Sequence, residues 1–528
     1  MRQESSETPT FWSEKFDIPQ FPTLTEAKCC DVCVVGGGIT GLMTAFMLAT
    51  EGKKVIVVDD GPVCRGETIR TTGHVTNVLD MRFHTLIAKH GLENARIAFQ
   101  AYRAGMDQIA SIINTQKIAC DFEKVDGYLI LSPETKLNEL QREEKAANDV
   151  GIANVSLTDS PLKRHEVTPA LKFPSQYQIN IAEFMDGLID ACLDLGVEIF
   201  ANTRMGGIED GDVVVVKKEN QENVSVSASS IVIATNSPIL GVGVHLKQSA
   251  YRTYVIAGPV AINSVPKGLF WDTEEPYHYV RTQPIEDDLE HELLIVGGED
   301  HKTGQEDDPQ IRFARLEEWT RTWVGNFKSI DYKWSGQVYE PVDGLPYVGK
   351  QPGSKGIYIA TGASGVGLSF AGFACQILND LICGRANSSA ALFDPTRLPL
   401  TSPIDFVKET VNAAVQYFDF VSKPDVTSVM EIHPGEGAIV TRGGEKIAVC
   451  RDDHGNICER SAICPHMGGV VQWNSLEKTW DCPVHGSRFD MSGTVLNGPA
   501  KEGLAEAKHK LDDEGEQESK GMRGKRAS

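Results

Sequence analysis

Two short loops near the carboxyl end of the chain each carry one cysteine and one histidine. The first reads C-P-H from Cys464 to His466, and after fifteen intervening residues the second reads C-P-V-H from Cys482 to His485. Two thiolates and two imidazoles form a metal-ligand set, so we expect this part of the chain to fold around a metal centre, and the alternative is a chance match of the spacing. Zinc modules use the same groups but usually place the two Cys together and the two His together. The alternation favours an iron-sulfur cluster in which thiolates hold one iron and imidazoles the other.

The residues around these loops resemble the Rieske 2Fe-2S family. The matching stretches are H-M-G-G from His466, H-G-S-R-F-D from His485 and G-P-A from Gly498, which correspond to the two ligand loops and the proline loop of that family. The resemblance implies a small all-β domain that holds one 2Fe-2S cluster and passes single electrons. The implied cluster ligands are Cys464, His466, Cys482 and His485.

The departures from the Rieske pattern bear on the reduction potential. Quinol-oxidising members carry an extra Cys in each loop, joined as a disulfide, whereas this chain has Gly469 and Val484. Ser487 stands where the family places a hydroxyl that bonds a cluster sulfide, and Phe489 stands where high-potential members have Tyr. Because hydrogen bonds to sulfur raise the potential, we expect a low to intermediate value within the Rieske range. A flavin or a soluble acceptor is then a better partner than quinol.

A dinucleotide-binding fingerprint lies near the amino end. Residues 31–35 read as a buried strand that runs into G-G-G-I-T-G, in which Gly36, Gly38 and Gly41 occupy the G-x-G-x-x-G positions. These glycines allow a tight turn and close approach of the backbone to a pyrophosphate. The predicted helix over 42–50 points its positive amino end at the phosphates.

The acid that completes this fingerprint follows a second predicted strand, over 54–58. Asp59 lies eighteen residues past Gly41, close to the spacing at which a carboxylate binds the adenosine ribose. FAD and NAD share this arrangement, so the rest of the chain has to decide between them.

Three later segments favour FAD, because they resemble successive cofactor-contacting stretches of the D-amino-acid oxidase-like flavoprotein family. They are R-T-T-G-H over 70–74, I-V-I-A-T-N over 231–236, and a strand with a Gly-rich loop over 356–367. The resemblance covers roughly residues 30 to 397. It implies that the FAD-binding residues are Gly36, Gly38, Gly41, Asp59, Thr71, Gly73, His74, Thr235, Gly362, Gly365 and Gly367. For His74, contact with the flavin and a covalent bond to it both stay open, and the non-covalent contact is the safer expectation.

The two resemblances together predict the fold class. We expect an α/β FAD-binding Rossmann-type domain with an α+β substrate domain, followed by a small all-β Rieske domain. The predicted bounds are an N-terminal segment 1–29, an FAD-dependent oxidoreductase domain 30–397 with inserted substrate-domain segments, a helical linker 398–428, the Rieske domain 429–505 and a disordered tail 506–528.

Aromatic and basic residues cluster where the flavoprotein family builds its substrate pocket. The catalytic candidates are Arg281, Tyr254 and Tyr279, with Tyr251, Arg252, Tyr277, Tyr339, Asp343 and Tyr347 as further candidates. Arg281 is suited to clamp a substrate carboxylate in bidentate fashion, but an Arg on a strand is more often paired structurally. Both readings of Arg281 stay open on the sequence, and the aromatics are more often core residues than pocket lining.

The predicted function is FAD-dependent oxidation of an amine or amino acid. A hydride passes from the carbon next to nitrogen to the flavin, and the reduced flavin passes its electrons singly to the Rieske cluster and on to an unidentified acceptor. This predicts a dehydrogenase rather than a peroxide-forming oxidase. The alternative is an electron-transfer or redox-sensing protein that receives electrons through the cluster. A Rieske oxygenase is disfavoured, because only 43 residues follow His485 and a two-His-one-carboxylate iron site needs a further domain.

Composition narrows the partners and the compartment. A net charge of -22 argues against nucleic acid and anionic membranes as partners. The twelve Cys form no compact disulfide framework, which favours thiols kept reduced in the cytosol. Residues 1–25 lack the apolar stretch of a signal peptide, so we expect a cytoplasmic protein without membrane insertion.

Overall fold

The computed structural model describes residues 8–15, 19–164, 166–209, 213–217, 224–240, 242–398, 425–426 and 428–509. The chain divides into two compact units. The first is formed by the described residues of 8–301 and 308–407, and the second by those of 302–307 and 408–528. The predicted linker helix over 403–420 lies outside the described residues.

The described part of the first unit is built from helices and two sheets. Its helices are α1 (Phe11–Lys15), α2 (Ile39–Thr50), α3 (Phe83–His90), α4 (Leu92–Gln116), α5 (Leu137–Val150), α6 (Ile181–Asp194), α7 (Val242–His245), α8 (Pro309–Trp323), α9 (Gly367–Ile382) and α10 (Ala390–Phe393). Its strands are β1 (Lys28–Val35), β2 (Val55–Val58), β3 (His74–Val75), β4 (Glu123–Ile130), β5 (Ser156–Asp159), β6 (Pro169–Gln178), β7 (Glu198–Phe200), β8 (Arg204–Glu209), β9 (Val213–Lys217), β10 (Val224–Ile233), β11 (Gln248–Ala261), β12 (Leu269–Asp272), β13 (His278–Pro284), β14 (His291–Lys302), β15 (Tyr332–Pro341), β16 (Tyr347–Lys350) and β17 (Ile357–Thr361).

The first sheet of this unit has a parallel centre. Its order is β16-β17-β10-β1-β2-β7, with parallel pairing from β17 through to β7 and the β8–β9 ribbon added through β10. The Val- and Ile-rich residues of β2 are all buried, as are the last four residues of β1. Continuous apolar strands of this kind need cover on both faces, which is why the sheet is parallel and flanked by helices.

Helix α9 lies against both α2 and α4, and the α4 contact depends on two glycines. A Cβ at Gly105 would lie 2.1 Å from the carbonyl oxygen of Ser369, and one at Gly372 would lie 2.1 Å from that of Gly105. The two backbones therefore touch, and α9 is held at a fixed height beside the sheet. Its amino end follows β17 after the short loop 362–366.

The second sheet of the first unit carries the substrate-domain residues. Its order is β15-β11-β14-β13-β12-β4-β6-β3, with β5 paired to β6, and its strands are antiparallel except where β12 meets β4. Helix α8 packs on β11. An α+β region thus accompanies the α/β sheet, as the sequence predicts.

The described part of the second unit contains two small antiparallel sheets. Their strands are β18 (Gly437–Arg442), β19 (Glu445–Arg451), β20 (Ile457–Ser461), β21 (Gln472–Asn474), β22 (Thr479–Asp481), β23 (Arg488–Phe489) and β24 (Val495–Asn497). The sheet orders are β18-β19-β20 and β21-β22-β23-β24. One Cys-His loop joins β20 to β21 and the other joins β22 to β23, so each loop is anchored in both directions by a strand.

Two element boundaries differ from the sequence predictions. The residue spacing in the sequence predicts a helix over 186–196. Helix α6 begins earlier, at Ile181, because the Asn180 side chain caps it by accepting from the backbone N–H groups of Ala182 and Glu183. The predicted tail starts too early at residue 506. Glu506 forms an isolated antiparallel bridge with Arg460, so residue 506 belongs to the fold of the second unit, and residues 510–528 lie outside the described residues.

Within the described ranges, no helix combines the length and the apolar character needed to cross a membrane.

Candidate flavin and iron-sulfur sites

Four loops of the first unit meet at one edge of its parallel sheet. The Gly36–Gly41 turn follows β1, Asp59 follows β2, Thr235 follows β10, and the 362–367 loop follows β17. Because the carboxyl ends of parallel strands share an edge, the predicted FAD-binding residues of these four loops are brought together. This edge is the crevice in which open α/β sheets bind ligands.

The turn after β1 is close enough to its neighbours to exclude side chains. Gly36 has φ of 108°, and a Cβ there would lie 2.5 Å from the carbonyl oxygen of Ala234. A Cβ at Gly41 would lie only 1.9 Å from the carbonyl oxygen of Gly36. The amino end of α2 is therefore packed directly on the turn, which is the geometry that a pyrophosphate-binding turn requires.

The carboxylate of Asp59 organises the same turn. One oxygen accepts the backbone N–H of Gly37 at 2.7 Å, and the other accepts that of Gly61 at 2.9 Å. Each carboxylate oxygen has a second lone pair, so the group is able to accept a further hydrogen bond from a ribose hydroxyl.

Two helices direct their amino ends toward this edge. Helix α2 begins after Gly38 and α9 begins after Val366, and among the described residues neither has a side-chain cap. A Cβ at Gly367 would have no heavy atom of the described chain within 4 Å, so the first turn of α9 has open space beside it. Uncapped helix amino ends attract anionic or acceptor groups, which fits the phosphates and the pyrimidine carbonyls of FAD.

The 71–74 segment contributes the imidazole of His74, one nitrogen of which makes no hydrogen bond to the described part of the chain. Nδ1 of His74 is 2.9 Å from Oγ1 of Thr72, whereas its buried Nε2 has no hydrogen-bond partner in the described part of the chain. Burial and the nearby Arg281 charge lower the pKa of His74 to about 3, so the ring is neutral at physiological pH. An unpartnered buried nitrogen costs free energy unless a ligand group meets it. His74 therefore fits a flavin contact.

Arg281 does not have the surroundings of a carboxylate clamp. Its side chain is fully buried, and Nε donates to the carbonyl of Thr72 at 2.5 Å while Nη2 donates to that of Ile179 at 3.0 Å. Nη1 donates to Gln283 at 2.9 Å and to the carbonyl of Thr282. The guanidinium group of Arg281 thus joins β13 to the 71–74 segment through hydrogen bonds.

Gly73 and Thr71 belong to the same join. Gly73 has φ of 77°, and a Cβ there would lie 2.5 Å from Nη2 of Arg281, so the glycine is required by packing on that guanidinium. The carbonyl of Thr71 accepts the indole N–H of Trp12 at 2.8 Å. Both residues hold His74 in place, whether or not they touch the cofactor.

Two buried carboxyl groups near the 362–367 loop were not found from the sequence. Asp80 accepts the backbone N–H of Gly365, and burial raises the pKa of its carboxyl group. Burial also raises the pKa of Asp300 to about 7, and one of its oxygens, Oδ1, is buried without a partner among the described residues. No local sequence motif marks either residue.

Two tyrosines lie close to these carboxyl groups. A Cβ at Gly365 would lie 3.1 Å from the hydroxyl of Tyr277, whose ring is 5.7 Å from that of Tyr279. The ring of Tyr279 also contacts His74 edge to face at 5.5 Å, and its hydroxyl is 3.4 Å from Oγ1 of Thr253. Tyr279 is thereby in contact with His74, one of the predicted FAD-binding residues. We call Asp80, Asp300, Tyr277 and Tyr279 the acidic cluster.

Two other predicted pocket residues, Tyr254 and Tyr347, make packing contacts inside the domain. The hydroxyl of Tyr254 is 2.9 Å from Nε2 of His301, and its ring contacts Phe313 of α8 edge to face. Tyr347 is fully buried under the Arg397 guanidinium, which lies 4.3 Å from its ring centre and pairs with Asp343. These contacts stabilise the domain.

In the second unit, the two Cys-His loops fold in the same way. The backbone N–H of Cys464 donates to the carbonyl of Gly469, and that of Gly468 donates back to Cys464, both at 2.9 Å. In the other loop the N–H of Cys482 donates to the carbonyl of Ser487 at 2.8 Å, and that of Gly486 donates back to Cys482 at 3.0 Å. Each loop is therefore a self-contained hairpin that presents one thiol and one imidazole.

The four predicted ligands converge between these hairpins. The rings of His466 and His485 lie 5.0 Å apart, and the thiols of Cys464 and Cys482 are hydrogen-bonded to each other. That bond, aided by backbone N–H groups of His466 and Met467, lowers the pKa of Cys464 and raises that of Cys482. Two thiols and two imidazoles that lie close together are the ligand set of a Rieske cluster. These four residues therefore fit a cluster of that type.

The surroundings of these ligands match the predicted departures. A Cβ at Gly469 would lie 2.5 Å from a methyl group of Val484, so an apolar contact stands where a loop disulfide would join the hairpins. The hydroxyl of Ser487 accepts the backbone N–H of Ala500 at 3.0 Å and hydrogen-bonds to Cys464. Phe489 is fully buried and supplies no hydroxyl.

A buried ionic network behind the second hairpin was not found from the sequence. Arg488 donates to Glu477 and, at 3.2 Å, to Asp481, and all three side chains are at most 2% exposed. Thr479 donates to the same Asp481 carboxylate at 2.8 Å. Such a network fixes the β22–β23 hairpin, because removing one member would leave a buried charge unpaired.

Comparison with known proteins agrees with both sites. Residues 31–381 match the family model described as FAD dependent oxidoreductase, and residues 422–508 match that described as Rieske [2Fe-2S] domain. The Rieske 2Fe-2S iron-sulfur protein YhfW of Bacillus subtilis is 30% identical over 502 residues, which cover 93% of this chain and 96% of that protein. Gamma-glutamylputrescine oxidoreductase of Escherichia coli is 26% identical and covers 69% of this chain and 86% of its own.

Solved structures share the fold of the first unit. Glycine oxidase from Geobacillus kaustophilus has a TM-score of 0.59 at 17% identity, over 70% of this chain and 100% of its own. L-proline dehydrogenase from P. horikoshii has a TM-score of 0.58 at 19% identity, over 71% of this chain and 98% of its own. The predicted architecture is thereby confirmed, as are the two predicted cofactors, FAD and a 2Fe-2S cluster.

Proposed function

Because this chain belongs to the FAD dependent oxidoreductase family and carries a Rieske [2Fe-2S] domain, we propose that it is an amine or amino-acid dehydrogenase. In this proposal, electrons leave FAD singly through the cluster and reach an external acceptor. The observation that carries it is the presence, in one chain, of a two-electron flavin fold and a complete set of one-electron cluster ligands. A peroxide-forming oxidase has no need of such a cluster.

The protein residues bind and orient the reactants. FAD supplies hydride acceptance from the carbon next to the substrate nitrogen. The turn from Gly36 to Gly41, Asp59 and the amino end of α9 would hold the cofactor. His74 would donate or accept one hydrogen bond at Nε2, its remaining free position. Cys464, His466, Cys482 and His485 would ligate the cluster.

Of the two substrate classes, the acidic cluster favours an amine. Asp80 supplies a buried carboxyl group beside Gly365, and Asp300 supplies a second that interacts electrostatically with it, so an ammonium group would be attracted there. A substrate carboxylate would instead need a cation, and the guanidinium of Arg281 is already bonded to backbone carbonyls. The Escherichia coli relative is named for an amine substrate, and we extend that class to this chain as part of the proposal.

Asp300 has a suitable acidity for proton handling at this place. With a pKa of about 7, it is partly ionised at neutral pH. An amine must lose its proton before the neighbouring carbon gives up hydride, and a carboxylate with raised pKa is a matched acceptor. We assign Asp300 this role, with Tyr279 and Thr253 orienting it.

The test is anaerobic mixing of the holoprotein with a panel of primary amines, polyamines and amino acids. Flavin bleaching is followed optically, and the reduced cluster is followed by electron paramagnetic resonance. Bleaching by an amine with later growth of the Rieske signal supports the proposal, and Cys482→Ser identifies the origin of that signal by removing it.

Two results would contradict the amine assignment. Bleaching by amino acids alone would move the substrate to that class. A signal obtained only with dithionite or a reduced carrier protein would favour the alternative, in which electrons enter through the cluster. If Asp300 accepts the proton, Asp300→Asn should slow bleaching most above pH 7, where the wild-type carboxylate is ionised, and least below that pH, where the wild-type group is already protonated.

A further inference from the structure

Two cysteines of the second unit face each other across neighbouring strands. Cys450 on β19 is paired directly with Cys458 on β20 in the antiparallel ladder. Residues opposed in this way have Cα atoms about 4.5–5.5 Å apart, with both side chains on the same face of the sheet. The range of Cα separations that a disulfide bridges is about 4.4–6.8 Å. A disulfide between them needs no movement of the backbone.

The two thiols differ in access. Cys450 is fully buried and its Sγ lies 3.4 Å from the carbonyl oxygen of Met491, whereas Cys458 is half-buried. A hydrogen bond between the thiols lowers the pKa of Cys458 to about 7 and raises that of Cys450. Cys458, the accessible member of the pair, is therefore the better nucleophile. Cys450, the buried member, is placed to attack a mixed disulfide formed on Cys458.

We propose that Cys450 and Cys458 form a dithiol/disulfide couple that responds to low-molecular-weight disulfides such as glutathione disulfide. This site is distinct from the four cluster ligands. It also differs from the loop disulfide of quinol-oxidising Rieske proteins, whose positions are Gly469 and Val484 in this chain.

The chemistry balances in two exchange steps. The Cys458 thiolate attacks one sulfur of glutathione disulfide, breaks its S–S bond and releases one glutathione thiolate. The Cys450 thiol then loses its proton and attacks the Cys458 sulfur, which releases the second glutathione. Two thiols are oxidised and one external disulfide is reduced, with two electrons and two protons transferred.

The position of the pair gives it access to the cluster environment. Cys450 lies in the same hydrophobic core as Cys464, Cys482 and Trp480. Oxidation would link β19 to β20 covalently at the side of this core. The domain that carries the cluster would thus change its covalent structure with the thiol-disulfide balance of the solution.

Peptide mapping of the wild-type holoprotein tests the proposal without any variant. Trypsin cleaves after Lys446, Arg451 and Arg460, so the two cysteines fall on separate peptides, 447–451 and 452–460. After anaerobic treatment with glutathione disulfide, we expect these peptides to be joined in most molecules and separated again by dithiothreitol. The visible spectrum of the cluster shows that its ligands are untouched.

Two variants sharpen the result. Cys450→Ser should accumulate a glutathione adduct on peptide 452–460, because nothing resolves it, whereas Cys458→Ser should leave Cys450 unmodified. Cys383→Ser, which removes a half-buried thiol of the first unit, is the matched control and should give the wild-type cross-link. A stable adduct on Cys458 in the wild type, or an absence of modification there while Cys29 reacts, would overturn the proposal.

Discussion

The Ser487 hydroxyl is placed to tune the potential of the cluster, and Ser487→Ala isolates that effect. The hydroxyl is fully buried, hydrogen-bonds to Cys464 and accepts the backbone N–H of Ala500 at 3.0 Å. Reduction adds one negative charge to the cluster, so a donated hydrogen bond stabilises the reduced state more than the oxidised one. Its removal should lower the potential.

The expected size follows from the worth of one buried hydrogen bond. If the bond is about 1 kcal/mol stronger in the reduced state, a one-electron couple shifts by about 40 mV. The same substitution leaves the Ala500 N–H without its acceptor, so the domain should lose about 1–3 kcal/mol of unfolding free energy. The two effects are separable because one is a potential and the other a stability.

A redox titration of the full-length holoprotein, followed by electron paramagnetic resonance, measures the midpoint directly. Ser492→Ala removes an exposed hydroxyl of the same domain, bonded to Asp490 and Thr494, and should leave the midpoint unchanged. Ser487→Thr keeps the hydroxyl and should restore most of the shift. A normal midpoint in Ser487→Ala, with an intact cluster and lowered stability, would show that the hydroxyl serves only Ala500 and would refute the reasoning.

Three further outcomes are expected. Gly41→Val should abolish FAD binding, because even its Cβ would lie 1.9 Å from a backbone oxygen of the turn, and the flavin content after purification measures this. Glu477→Gln should destabilise the second unit by about 3–5 kcal/mol, because the buried charge of Arg488 loses a partner, and denaturant unfolding monitored at the cluster absorbance checks it. Although burial lowers the pKa of His278, its hydrogen bonds to Asp272 and Glu299 raise it to about 9. Stability from this charge is complete below pH 6.5 and lost as the pH rises through 9, so the thermal midpoint of flavin release should fall across that window in the wild type and not in His278→Gln.

The local parts of both sites were predictable from the sequence. Each Cys-His hairpin closes through hydrogen bonds between residues four or five positions apart. The positions of Cys and His in the sequence are therefore enough to predict the geometry of the hairpin. The Gly36–Gly41 turn likewise joins a strand to the helix that follows it. Ligands supplied by such short segments are identifiable without knowledge of how the rest of the chain packs.

Residues whose roles depend on distant partners were not predictable. The sequence left Arg281 open between a substrate clamp and a structurally paired residue, and the fold decides, because its Nε bonds to the carbonyl of Thr72, which is 209 positions away. Asp80 meets Gly365 across 285 positions, and Asp300 has no neighbouring motif at all. The acidic cluster therefore exists only in the folded chain.

The sequence by itself determined the two cofactor modules, because glycine spacing and Cys-His spacing express short-range backbone geometry. Tertiary structure decided that Asp80 lies at the loop that follows β17 and that Arg281 holds a strand to the 71–74 segment. It also placed Cys450 opposite Cys458, since strand register depends on the packing of whole strands. The physical reason is the same in each case: a side chain acquires its partner, its burial and its acidity only when segments far apart in the chain come into contact.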